Sequence, residues 1–131
     1  MRLLDLSKLF MQQGQELLGS ELSPDSLIEM AHSINPHKRY CIVLDWFYVD
    51  LLVTDTELGV LSEMGFSPSI LLSSNVVQDE RGRFPTGGWV KSGYLVDFSQ
   101  GCIFETSNTF YLLMGIGFRK QLSLDDLSNI S

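Results

Sequence analysis

The chain has 131 residues, 44% hydrophobic and 19% charged, with a net charge of -7, so it can bury roughly two-thirds of its unfolded surface without a disulfide or metal staple. Such an acidic balance opposes tight duplex DNA binding, which draws on clustered Lys and Arg. The longest apolar run, residues 110–117, is strand-sized and far short of the ~18 residues of a membrane span. The N-terminus is amphipathic, with Asp5 and Lys8, and lacks the basic-then-apolar pattern of a cleavable signal, so a cytoplasmic protein is expected.

Leu3, Leu6, Leu9, Phe10 and Leu17 recur at helical spacing before Gly19, which predicts a first helix over residues 2–18. A second opens on Ser23 as N-cap with Pro24 in its first turn, presents Leu27, Ile28, Met30, Ala31 and Ile34, and stops before Asn35 and Pro36. His32 falls off that stripe as a solvated residue. Residues 40–53 carry apolar side chains on both alternating faces, the signature of a long central strand, with a bulge near Asp45 as the alternative to regularity. Thr54 and Glu57 match a capping box, with Val53 and Leu58 as its hydrophobic staple; Leu58, Leu61 and Met64 then form one stripe that ends at Gly65. Residues 68–78 read as the next strand.

Residues 79–83 form a turn in which Gly82 is free to take positive φ, and Phe84 to Gly88 delays the return. Residues 89–98 read as a strand whose even positions (Val90, Tyr94, Val96, Phe98) face a core. If Ser107 and Asn108 close a two-residue hairpin, Thr106 pairs with Thr109, Glu105 with Phe110 and Phe104 with Tyr111, and both loop residues need positive φ. Ser123 and Asp126 give a weak capping signal in the tail. The expectation is one α+β domain over residues 1–131: a helical part (1–36), a mixed β region with one short helix (39–120) and a tail (121–131). Its sheet is an antiparallel meander of about five strands with the N-terminal helices on one face, or a strongly bent, SH3-like barrel.

Chemistry is scarce. No phosphate-binding loop or nucleophile elbow is present, and Cys41 and Cys102 sit in apolar segments as reduced core thiols, out of ligand spacing with His32 and His37. Asp45 and Asp50 face opposite sides of a regular strand and make a poor carboxylate pair. Glu105, inside a cross-strand pairing, reads as an exposed strand residue or an ion-pair partner of Lys91 or Arg119. No catalytic, cofactor-binding or metal residue is assigned.

The charge is uneven. Residues 1–78 balance at -6, whereas residues 79–120 balance at +1 through Arg81, Arg83, Lys91, Arg119 and Lys120. These cations lie beside Phe84, Trp89, Tyr94 and Phe118, and cations among aromatics can hold an acidic protein surface or a nucleic-acid single strand. Arg81, Arg83, Phe84, Trp89, Lys91, Arg119 and Lys120 form the candidate interaction surface. A two-sided apolar strand at residues 110–116, if placed at a sheet edge, would favour a dimer.

The runs Gly88 to Ser92, Leu95 and Val96, Gly101 to Thr106 and Asn108 to Gly115, with Asn75 to Val77 and Arg81 to Phe84, resemble a family of small uncharacterised proteins from proteobacteria and their prophages, known as a domain of unknown function. The resemblance is strongest over residues 75–120. It departs at Lys91, where Arg is common, and at Gly93, where a larger polar residue is usual. It implies no activity and transfers no catalytic residue. The expected function is a non-catalytic protein-interaction module, a prophage or mobile-element accessory that acts on a host or phage protein or self-associates. The alternative is a single-stranded nucleic-acid-binding module that uses the basic and aromatic β region.

Overall fold

The computed structural model describes residues 14–128. Among them β1 (Gln15–Leu18), β2 (Arg39–Leu52), β3 (Ser69–Asp79), β4 (Val90–Lys91), β5 (Ile103–Glu105), β6 (Thr109–Leu113) and β7 (Ile116–Ser123) join in one sheet, with helices α1 (Pro24–Ile34), α2 (Asp55–Glu63) and α3 (Leu124–Ser128). The order is β1-β7-β2-β3-β4, with β6 also on β2 and β5 on β6. The α+β class holds, but the sheet is mixed, has seven strands and stays open, so neither the five-stranded meander nor the barrel forms. The reason lies in β2. Its apolar residues on both faces suit a central position, and β3 pairs antiparallel along one edge while β6 and then β7 pair parallel along the other. A parallel partner about 70 residues away follows from no local turn signal.

The change of partner falls at Asp45, the site of the expected irregularity. Asp45 has φ +47°, a left-handed conformation that Asp tolerates better than most side chains. It shifts the alternation, so Cys41 and Val43 share one core with Trp46 and Tyr48. Trp46 is buried at this joint and its indole N–H donates to the Met114 carbonyl at 3.0 Å. Its ring lies directly on Gly117, where an added Cβ would come within 2.3 Å.

On that side of the sheet Tyr48 meets Phe104 and Phe98 edge to face, with ring centroids 5.4 and 5.1 Å apart, an arrangement that aromatic quadrupoles favour. On the other side Leu27 and Ala31 of α1 cover Ile42, Ile103, Phe110 and Leu112. Phe47, Val49, Leu51, Ile70, Leu72 and Leu122 form a separate cluster there, joined by Tyr94, Leu124 and Leu127.

The helix signals are realised unevenly. Ser23 caps α1 by accepting the Ser26 N–H, with Pro24 in the first turn, and Asn35 ends it. The helix expected over residues 2–18 lies mostly on residues 1–13, outside the described residues, and its last turn is strand β1, hydrogen-bonded to β7. The Thr54–Glu57 capping box is present, yet no α2 side chain is buried. Leu58 and Met64 of the expected stripe are exposed, and α2 serves as the connection between β2 and β3.

Residues 89–98 are not one strand. Only Val90 and Lys91 pair regularly with β3, after which Leu95 bridges Ser67 and Asp97 bridges Glu105. The ladder breaks where the Ser92 hydroxyl, in place of a carbonyl, accepts the Leu71 N–H at 2.7 Å. Leu95 is consequently buried and Val96 exposed, the reverse of the expected alternation.

The β5–β6 hairpin has the expected register, with Phe104 opposite Tyr111 and Glu105 opposite Phe110. Its loop differs: neither Ser107 nor Asn108 has positive φ, and the Asn108 side-chain oxygen ties the loop by accepting from the hydroxyls of Thr106 and Thr109. Since β6 lies between β2 and β5, it is no edge strand, and the sequence argument for a dimer through residues 110–116 lapses. The tail begins later than residue 121, because β7 runs to Ser123, whose hydroxyl accepts the Asp126 N–H to start α3.

Four substitutions have expected outcomes in chemical denaturation. Gly117→Ala drives a methyl into the Trp46 ring and costs about 1–3 kcal/mol, whereas Gly59→Ala, in α2 with no atom within 4 Å, gains about 0.5–1 kcal/mol. Phe104→Ala empties a fully buried site and costs about 3–5 kcal/mol. Ser107→Gly, which would be neutral or stabilising if position 107 had positive φ, instead costs about 0.5–1 kcal/mol through unfolded-state entropy.

Candidate functional site

The basic and aromatic residues singled out from the sequence are not gathered on one surface. Arg81 sits exposed in the turn after β3. Two residues on, Arg83 gives its guanidinium to Asp79 at 3.2 Å and lies 4.9 Å over the Phe84 ring. Trp89 and Lys91 belong to the β4 edge. Arg119 and Lys120 are on β7, with β2 and β3 between them and β4, about 14 Å at ordinary strand spacing. As neighbours on a strand they point to opposite faces.

Arg119 makes a two-pronged pair with Asp50, at 2.7 and 3.0 Å, and stacks 4.6 Å over Tyr48. Lys120 is buried, with its ammonium 4.9 Å over Phe47 and 5.9 Å from Phe118, and loss of water around it lowers its pKa. Glu105 pairs with Lys38 rather than with Lys91 or Arg119. The cations are therefore spread over two faces and both flanks of the sheet, and several are engaged by acids or rings.

Asp79 shows how tightly one of these contacts is built. Its side chain is fully buried and accepts from the Arg83 backbone N–H at 2.8 Å, the Phe84 N–H at 3.3 Å and the Arg83 side chain. Burial alone would raise the carboxyl, but the hydrogen bonds and charge of Arg83 outweigh it and hold Asp79 below its ordinary value. Gly82, at φ +68°, closes the same turn by donating to the Asp79 carbonyl.

What the structure does assemble lies on β1 and β7. Leu18 pairs with Ile116, and with Phe118 they stand 75%, 52% and 39% exposed on one side of the sheet. Two hollows meet at Ile116. The larger, about 450 Å³, is lined by Asp45, Phe47, Ser74, Ile116, Phe118 and Lys120; the smaller, about 190 Å³, by Leu18, Glu21 and Ile116 among others. Asp45 reaches the larger hollow from its left-handed backbone, and its carboxylate accepts from the Asn75 amide at 3.2 Å. Sequence reading missed this face because residues 15–18 read as helix. The available signal was the alternation of Gly115, Ile116, Gly117 and Phe118, in which glycines separate apolar side chains that share a face.

The reactive groups offer little chemistry. Burial first, and then the Asp79 charge, pushes the Cys41 thiol up to about 12, so it stays protonated near neutrality. His32 and His37 are exposed at the end of α1 and just beyond it. Among the described residues no three His, Cys, Asp or Glu side chains come together as a metal-binding group, and no helix is long and apolar enough to cross a membrane.

Fold and surface together define an open, mixed-sheet α+β protein with an apolar face on its outer strands. Residues 18–129 match the family model described as Domain of unknown function (DUF6957), and the chain belongs to that family. No curated protein and no solved structure matches it.

The Asp79 turn has a measurable signature. Because the folded carboxyl lies below its unfolded value, its stabilisation is fully present above the unfolded value and is lost as pH falls through the folded one. In pH-dependent denaturation, wild type exceeds Asp79→Asn by on the order of 2 kcal/mol near neutrality, a gap that holds above about pH 5 and closes below about pH 4.

Proposed function

We propose that the protein is a non-catalytic interaction module that holds another protein against its β1–β7 face. The observation that carries this reading is the row of exposed apolar side chains Leu18, Ile116 and Phe118 on hydrogen-bonded strands, beside two hollows that meet at Ile116. Contiguous apolar surface on a rigid sheet favours a partner that covers it. The inert Cys41 thiol and the dispersed acids support a role without catalysis. The resemblance over residues 75–120 supports the narrower role of a cytoplasmic accessory of a prophage or other mobile element, acting on a host or phage protein. Single-stranded nucleic acid fits less well, because Arg83 and Arg119 are each bonded to a carboxylate and Lys120 is buried.

Site-specific photo-cross-linking tests this reading. A photoreactive phenylalanine analogue in place of Ile116, expressed in the native cell, gives a discrete protein adduct that survives nuclease and disappears when Leu18→Asp and Phe118→Asp are added. An adduct removed by nuclease, or one indifferent to those two substitutions, overturns it.

A further inference from the structure

A second surface, at the other end of the β2–β7 pairing, points to a partner of definite chemistry. The helix α2 is fixed by its own sequence, through the Thr54–Glu57 box and the stop at Gly65, and none of its side chains is buried. Two of its apolar residues, Val60 and Leu61, nevertheless border a gap. Val53, Val60, Leu61, Tyr94 and Leu124 line a groove of about 260 Å³ bounded by α2, the start of α3 and the irregular segment after β4. Val60 remains 54% exposed on its wall, and Met64, one turn further on, 63%. A nine-residue helix is marginal by itself, so a wall of this kind gains by closing on an apolar ligand.

The two segments that carry α2 and α3 hold charge of one sign. Residues 52–68 and 121–128, which supply both helices and their flanks, contain Asp55, Glu57, Glu63, Asp125 and Asp126 and no Lys or Arg. Glu57 lines the groove itself, and its carboxyl is held below the ordinary range by the Thr54 backbone N–H, so it is ionised when a ligand arrives. An apolar groove with Glu57 in its wall and acidic helices beside it repels acidic partners, including a second copy of this chain at net charge -7, and attracts basic ones.

We propose that the groove beside α2 is a docking site for a basic amphipathic helix of a partner protein, two to three turns of which match the roughly 13 Å length of α2. The site is independent of the β1–β7 face and does not rest on the reading given for it.

Fluorescence anisotropy with two labelled helical peptides tests the proposal, one of Leu and Lys and the other of Leu and Glu, with identical Leu spacing. The Leu/Lys peptide binds at least about tenfold more tightly, and its binding weakens as salt rises. Val60→Ser combined with Met64→Ser, both exposed positions, weakens it at least about tenfold without changing net charge. Glu63→Lys, a second variant on the same helix, weakens it and flattens the salt dependence, whereas Leu18→Lys on the remote face leaves it within about threefold. Equal affinity for the two peptides, indifference to the Val60 and Met64 changes, or an equal loss with Leu18→Lys overturns the proposal. So does a wild-type dimer that the Val60 and Met64 changes dissociate, since the groove would then belong to a second copy.

Discussion

The seating of Trp46 on Gly117 is the contact around which the rest of the sheet is arranged. β2 is too long for one partner on its parallel edge, so β6 serves its first half and β7 its second. At the joint a left-handed Asp45 shifts the alternation of β2, which keeps Trp46 on the same side as Val43. The indole N–H bonds to Met114 between the two partner strands, and Gly117 leaves the room the ring needs. A side chain at 117 would press β7 away from β2, and with it β1, which among the described residues pairs with no other strand. The β1–β7 face thus depends on a missing methyl group.

The parts of the fold that were legible in the sequence are those whose cause is local. Ser23 with Pro24 marked α1, Thr54 with Glu57 marked α2, and Thr106 with Thr109 set the register of the β5–β6 hairpin, because caps and tight turns are decided by residues within a few positions of one another. The parallel partners of β2 have no such signal. Residues 15–18 fit a helical spacing, yet they lie on β7, where hydrogen bonds to another strand outweigh a weak propensity. Residues 89–98 alternated as a strand should, but one hydroxyl, that of Ser92, took the place of a carbonyl and bent the chain away.

The candidate surface was harder to read than the fold, and for a physical reason. Residue types name possible contacts, but the partners of a charge are set by pairing across strands. Asp50 and Arg119 are far apart in the chain and opposed across a β2–β7 pair that no spacing announces. Once those pairings are made, the basic cluster is divided among a turn, one sheet edge and two faces of β7. The apolar face and the α2 groove became visible only through exposure, since Ile116, Phe118, Val60 and Met64 have the composition of core residues. In α2 the stripe is genuine, but it is split: Leu61 borders the groove, whereas Leu58 and Met64 stay exposed.

The parallel edge of β2 also sets an order of events during synthesis. Residues 39–52 leave the ribosome long before residues 109–123 that must lie beside them, so one edge of a strongly apolar strand has no native partner until most of the chain has been made. At about 5–20 residues per second, that interval lasts several seconds. High sequence separation between partners slows folding, and the exposed edge during the delay is open to pairing with other chains. The later β6 and β7 emerge, the longer an apolar strand edge stands open to pairing outside the native register.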